Sequence, residues 1–181
     1  MGKREKILKM IYIIGIGSNM SSKYGGPIKT LKFAIKQLNR NNVNVIKKSF
    51  LYSSPPQDFN SAANIFFNGA LMVDTALKPE LLLFILKNIE KSLGRYMYKK
   101  NSSRSCDLDI LLMRPETIQS IKKNNAKCIL PHPRMHNRGF VLRPMMDICS
   151  DWVHPELNQR ISDIYKANYS GEKLYKIPKK L

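Results

Sequence analysis

The chain has 181 residues, 43% hydrophobic and 24% charged, a balance that fits one domain, 1–181, and argues against a disordered chain. No apolar run reaches the roughly 18 residues that span a bilayer. Residues 1–9 are too charged for a secretory signal, and Lys6 breaks the acylation pattern that Met-Gly would begin, so a cytoplasmic protein is expected. Thirty-one basic residues against thirteen acidic give +18, which suits a polyanionic partner or reflects compositional drift, with 22 Lys, many of them scattered over expected helix surfaces.

Residues 10–16 form a short apolar run ending in Gly17-Ser18-Asn19, the pattern of a buried strand entering a loop. After Gly25-Gly26-Pro27, Ile28, Leu31, Ala34, Ile35 and Leu38 recur at helical spacing. Val43, Val45 and residues 50–52 predict a second strand, stopped by Ser53-Ser54-Pro55-Pro56. Residues 57–64 are polar and read as a loop. A third strand is predicted over 65–73 and a helix over 80–93, opened by Pro79 and ended by Gly94. Residues 95–106 are basic, without periodicity, and read as a second flexible loop. Residues 107–113 alternate acid with apolar and predict a fourth strand. A last helix is predicted over 156–167, with 1–9 and 169–181 as flexible extensions.

The order β-α-β-β-α-β predicts an α+β, ferredoxin-like arrangement: a mainly antiparallel sheet with helices packed on one face. Three cysteines without a C-x-x-C pair predict reduced thiols. The dinucleotide fingerprint fails at Met20, and no phosphate-binding G-x-x-x-x-G-K-[ST], G-x-S-x-G or H-E-x-x-H motif is present.

The most informative stretch is Asp107-Leu108-Asp109-Ile110. On a strand both carboxylates leave one face, ~7 Å apart along the backbone. Two acids so placed repel unless a cation lies between them, and Mg²⁺ takes few carboxylates and fills its shell with water and phosphate oxygens. The basic residues just before, with Arg104, suit those phosphates. Two solvated acids on an exposed edge strand are the alternative.

In Pro131-His132-Pro133-Arg134-Met135-His136-Asn137-Arg138-Gly139-Phe140, His132 and His136 have a zinc pair's i, i+4 spacing. The prolines break the helix that spacing assumes, so an anion clamp fits better. In Phe66-Phe67-Asn68, Phe66 and Asn68 share a face that suits a flat heterocycle with mixed edges, although core packing is the commoner use of such a pattern.

In this order these pieces resemble 6-hydroxymethyl-7,8-dihydropterin pyrophosphokinase of folate synthesis. The markers are Gly17-Ser18-Asn19, Tyr52-Ser53-Ser54-Pro55-Pro56, Phe67-Asn68-Gly69-Ala70, Ile89-Glu90 with Leu93-Gly94-Arg95, Arg104 with Asp107-Leu108-Asp109-Ile110, and Pro131-His132-Pro133-Arg134 with Asn137-Arg138-Gly139-Phe140. The resemblance implies pyrophosphate transfer from ATP to the pterin hydroxymethyl group with two Mg²⁺ ions, in a monomer without nucleic-acid or membrane partners. It puts both ions on Asp107 and Asp109 and transition-state charge on Arg95 and Arg104. ATP would meet Lys87, Lys100, Arg104, Ile110, Lys127, His132 and Arg138. Pterin would lie between Phe66 and Phe140, read by Asn68, with Ser54, Pro55, Pro56 and Gln57 completing the pocket.

The chain departs from that family where Asn101-Ser102-Ser103-Arg104-Ser105-Cys106 replaces the usual Trp-Gly-Pro-Arg-Thr, and where Met97 replaces a second arginine. An RNA-binding module on the same fold is the competing reading, though it lacks the paired-aromatic RNP signature. A protein of this family that binds without turnover is the third.

Overall fold

The computed structural model describes residues 9–55, 64–94, 103–114 and 128–180. Its elements are β1 (Met10–Ser18), α1 (Pro27–Arg40), β2 (Asn44–Lys48), β3 (Phe50–Ser54), β4 (Phe66–Thr75), α2 (Pro79–Ser92), β5 (Asp107–Arg114), α3 (Gly139–Cys149), β6 (Val153–His154), β7 (Gln159–Arg160), α4 (Ile161–Tyr169) and β8 (Tyr175–Lys180). The main sheet runs β5-β1-β4-β3-β8, with β2 also on β4, and every pairing is antiparallel. With β2 and β3 counted as one interrupted strand, this is the ferredoxin-like order.

The interruption has a local cause. Four residues step from Lys48 to Tyr52 opposite three from Leu71 to Asn68, so one residue too many sits in the strand. Ser49 absorbs it: its N–H donates to the Ala70 carbonyl at 2.9 Å, and its Oγ accepts the Ala70 N–H at 2.8 Å. The single second strand of the sequence reading is therefore two.

Alternation along the strands makes two cores. Tyr12, Ile14 and Ile16 of β1, Leu71 and Val73 of β4, and Leu108 and Ile110 of β5 pack against Leu31, Ala34 and Leu38 of α1 and Leu82, Leu86 and Ile89 of α2. On the other face Ile13, Ala70, Met72, Leu111 and Leu112 meet Leu142, Met145 and Ile148 of α3 and Ile161 and Ile164 of α4. Helices thus cover both faces, not the one face expected.

The second pair of helices is also where the elements differ. α3 was not anticipated, and its Pro144 lies inside the helix. α4 starts at Ile161 and not at 156, because the preceding residues turn through a two-strand hairpin with Asn158 at φ +52°. Nor is 169–181 simply an extension: Tyr175–Lys180 adds a strand to β3. α3 is fastened to β3 by Asp147, which accepts the Tyr52 hydroxyl and the Phe50 N–H at 3.0 Å and pairs with Arg143 at 3.1 Å. Burial, then that bond, pushes the Tyr52 phenol up to about 12. The three cysteines are buried and form no disulfide.

Among the described residues no helix is long and apolar enough to cross a membrane. Of the anticipated site residues, Pro56, Gln57, Arg95, Lys100 and Lys127 lie outside the described residues, as do most of the loops expected over 57–64 and 95–106.

Candidate active site

On the α3/α4 face the sheet is covered at one end and bare at the other. Gly15 and Gly17 of β1 leave a floor without side chains, with the Gly69 backbone of β4 beside it, and the first turn of α3 overhangs it, so a cleft opens between sheet and helix. Asn68, Asp107, Asp109, Leu111, His132, Arg138, Phe140 and Val141 line it. Gly17 is the Cα partner of both Asn68 and Asp107, so these two flank it across three strands, roughly 10 Å apart at two interstrand spacings. A β-carbon on Gly17 would come within 3.1 Å of Asn68 Oδ1, which only glycine avoids. The Asn68 amide is buried and donates to Ser54 Oγ at 3.0 Å, which fixes the direction of its carbonyl oxygen.

The carboxylates behave as the alternation predicted: Leu108 and Ile110 enter the core, and Asp107 and Asp109 face the cleft. Arg104 Nη1 bonds Asp107 Oδ2 at 2.7 Å, and Lys87 Nζ approaches Asp109 Oδ1 at 3.3 Å. Burial pulls the Lys87 ammonium pKa down, but Asp109 and Glu90 outweigh it and hold the group above its usual range. The two acids suit a divalent ion. They are hard oxygen donors, only 25% and 35% exposed at the side chain, and they face space that water and phosphate oxygens can share. Among the described residues no group of three or more His, Cys, Asp or Glu could hold a metal, and an ion held by two carboxylates ordinarily completes its shell with water and phosphate oxygens.

His132 reaches the cleft through a β-bulge. The register of β5 on β1 shifts at Ile13/Ile14 and skips Leu111, whose carbonyl accepts the His132 N–H at 2.9 Å. The Arg134 N–H donates to His132 Nδ1 at 3.1 Å, so the proton of the neutral ring sits on Nε2. Burial lowers this pKa, with Arg138 and Arg134 adding to the effect and Asp109 opposing it. His136 turns elsewhere, its ring edge-on to His154 at 5.1 Å, so the two histidines spaced for zinc do not converge. Arg138 precedes α3 and lies 5.6 Å from the centre of the Phe140 ring.

Two expectations shift. Ile110 is 4% exposed in the core opposite the cleft, so its side chain cannot line the site and only its backbone remains to meet a ligand. Phe66 precedes Asn68 by two on β4, so it shares that face, but it does not line the cleft.

Two supporting residues had been noted in the sequence only as markers. Glu90, 2% exposed, accepts the Leu108 N–H at 2.6 Å and the Lys87 ammonium at 2.8 Å, while Lys87 also donates to the Leu108 carbonyl at 3.0 Å. These side chains do for the outer edge of β5 what a neighbouring strand would do. Asn19 accepts the Arg104 N–H at 2.7 Å and donates its own N–H to the Arg104 carbonyl at 3.1 Å. The chain entering β5 is thereby tied to the end of β1. The signal for Glu90 was an acid on the core-facing stripe of a helix.

An amide beside a flat floor, with a carboxylate about 10 Å off and His and Arg among the lining residues, suits a transferase that sets a heterocycle beside bound phosphates. The family model described as 7,8-dihydro-6-hydroxymethylpterin-pyrophosphokinase (HPPK) matches residues 13–150, and the chain belongs to that family. It is 33% identical over 165 residues to the 2-amino-4-hydroxy-6-hydroxymethyldihydropteridine pyrophosphokinase of Haemophilus influenzae, covering 91% of this chain and 96% of that protein. The Bacillus subtilis protein of the same name is 36% identical, covering 77% of this chain and 78% of that one. The Folic acid synthesis protein fol1 of Pneumocystis carinii is 38% identical over 84% of this chain, which spans only 19% of that longer protein. A crystal structure of Plasmodium falciparum HPPK-DHPS superposes with a TM-score of 0.69 over 90% of this chain and 44% of that one, at 15% identity, which shows a shared fold.

Proposed function

We propose that this chain transfers the β,γ-pyrophosphoryl group of ATP to the hydroxymethyl oxygen of 6-hydroxymethyl-7,8-dihydropterin in folate biosynthesis. The new bond joins that oxygen to the β-phosphorus, the bond from the β-phosphorus to the α,β-bridging oxygen breaks, and AMP leaves. The observation that carries the reading is the row Asn68–Gly17–Asp107, which sets a heterocycle reader and a phosphate-side acid on one flat floor.

Asn68 reads the pterin edge with Ser54 behind it, and Phe140 supplies a ring face. Asp107 and Asp109 hold two Mg²⁺ ions, which neutralise phosphate charge when bound. His132 donates from Nε2–H to a phosphate oxygen, and Arg138 takes another through its guanidinium. Arg104, paired with Asp107, would add its guanidinium charge on the phosphate side. Phe66, the backbone of Ile110, Lys87, and Pro55 with the pocket residues beyond it complete the assignment. The protein acts as a monomer in the cytoplasm. The RNA-binding alternative needs an open sheet face, but α3 and α4 cover one end of that face, and the bare end carries two carboxylates that would repel a phosphate backbone.

Nucleotide products decide the reading. ATP, Mg²⁺ and the hydroxymethyl pterin together should yield AMP, and omission of the pterin should suppress it. Formation of ADP, or AMP release independent of pterin, would overturn it.

A further inference from the structure

The segment that follows α4 reaches back to the cleft. Glu172 lies beyond residues 13–150, which the family model matches, yet its carboxylate packs so tightly on Gly139 that a β-carbon there would overlap Oε2. That oxygen is buried. Three residues earlier, the Tyr169 hydroxyl donates to the His136 carbonyl at 3.3 Å, and a β-carbon on Gly139 would also lie 3.0 Å from Tyr169 Cδ1. The Glu172 N–H returns to the Tyr169 carbonyl at 3.0 Å, which closes the segment into a turn. One short turn thus grips the chain at 136 and at 139, on either side of Asn137-Arg138.

Gly139 opens α3, a helix with no side-chain cap and no acid in its first turn. Its first N–H groups and its dipole favour a nearby negative charge, and Glu172 brings one from elsewhere in the chain. The two residues flanking Gly139 are Arg138 and Phe140, and both line the cleft.

We propose that Glu172, with Tyr169 behind it, is a positioning residue that fixes the first turn of α3 and so sets Arg138 and Phe140 for phosphate and pterin. The proposal rests on the pyrophosphokinase reading above. Gly139 is required because the carboxylate occupies the space of its missing side chain. Its backbone does not need glycine, since its φ lies outside the left-handed region.

Steady-state kinetics by AMP release, with each substrate varied in turn, test this on the full chain. Wild type must first form AMP with pterin, and failure there sinks the functional reading and not this one. Glu172→Ala should then raise KM for both pterin and ATP at least fivefold, with kcat within twofold. Glu172→Gln keeps the volume and loses the charge, and it should recover less than half of that change. Gly139→Ala should reproduce the Glu172→Ala phenotype by displacing the carboxylate. In the double variant the carboxylate no longer blocks the new methyl, and only the Tyr169 ring must give by a few tenths of an ångström, so the two changes should not add. KM values within twofold of wild type in Glu172→Ala, or additive losses in the double variant, would overturn the proposal. Should Glu172→Ala fail to fold, Gly139→Ala and Glu172→Gln still decide it by the same KM-against-kcat comparison.

Discussion

The two faces of the sheet use the same strands in opposite ways. Toward α1 and α2, large side chains fill most inward positions, and Tyr12, Ile14, Leu31, Leu38, Leu71, Leu82, Leu86 and Leu108 are all 0% exposed. Toward α3, the strands carry Ile13, Ala70 and Met72 at one end and Gly15 and Gly17 at the other. One face therefore supplies stability by area and packing. The other spends half its length on an open floor and holds polar groups over it. Binding sites arise where a fold withholds packing while neighbouring structure stays rigid enough to aim side chains. Here the rigidity comes from the filled face, because Leu108 and Ile110 anchor the strand that presents Asp107 and Asp109.

The comparison breaks if function and stability do not separate by face, and the acids give the largest effect. Asp107→Ala or Asp109→Ala should lower turnover on the order of a hundredfold or more, since the phosphate charge loses its cation, while the melting curve moves little. An activity loss under tenfold, about 1.4 kcal/mol of barrier, would mean that these acids are an ordinary solvated edge. Leu86→Ala on the filled face should do the reverse. Its cavity should cost about 2–5 kcal/mol of folding stability by urea denaturation, and AMP release per folded molecule should stay near wild type.

The same division governs what could be read from the sequence. β1, β4, β5 and the helices of the filled face were legible because their apolar residues repeat with the period of the element that carries them. The α3 helix was hidden by Pro144 and by the prolines at 131 and 133, although Leu142, Met145 and Ile148 mark its buried stripe. β8 was hidden because backbone bonds to β3, with Lys176 lying 3.5 Å over the Phe50 ring, leave only a basic tail in the sequence. Asp107 and Asp109 followed from alternation alone. The run that holds His132 and Arg138 read from its residue types as an anion clamp, but its assignment to nucleotide phosphates came only with the resemblance to a family, because a bulge at Leu111 and a helix start at Gly139 place these two residues, and neither has a periodic signature. Glu172 had no local signal at all, since its partner lies 33 positions earlier in the chain.

A smaller and more selective effect belongs to the amide. Asn68→Ala should weaken pterin binding by roughly 1–3 kcal/mol, since it strands polar groups of a buried heterocycle edge. ATP affinity should stay unchanged in a separate calorimetric titration. Gly17→Ala should push the same way, because its methyl meets Asn68 Oδ1 at 3.1 Å. Equal losses for both ligands would show that the floor itself had deformed, and the separation of reader from phosphate acids would fail.

The smallest effect is expected in mild acid, and it sharpens the comparison because all three histidines lie at 132, 136 and 154, none in the helices of the filled face. Burial lowers the pKa of His132 and of His154. Arg138 deepens the shift for the first and Asp109 opposes it, and for the second His136 deepens it and Glu156 opposes it. Both folded values therefore lie below the unfolded one of about 6.5. As pH falls through 6.5, the unfolded chain takes up these protons before the native one does. Stability is then fully present above that point, declines below it, and levels only beneath the folded values. Urea denaturation at pH 7.5 and 5.5 should show the decline, at pH values still above the ordinary carboxylate range. His154→Asn keeps an acceptor for the Glu156 and Leu157 N–H groups, which now donate to Nδ1 at 3.3 Å, but it cannot titrate. It should flatten part of the dependence. Hydrogen exchange should locate the loss, with amides of α3 and α4 losing protection at pH 5.5 before those of α1 and α2. Uniform loss across all four helices, or an unchanged pH dependence in His154→Asn, would show that these histidines do not make the cleft face the more acid-sensitive of the two.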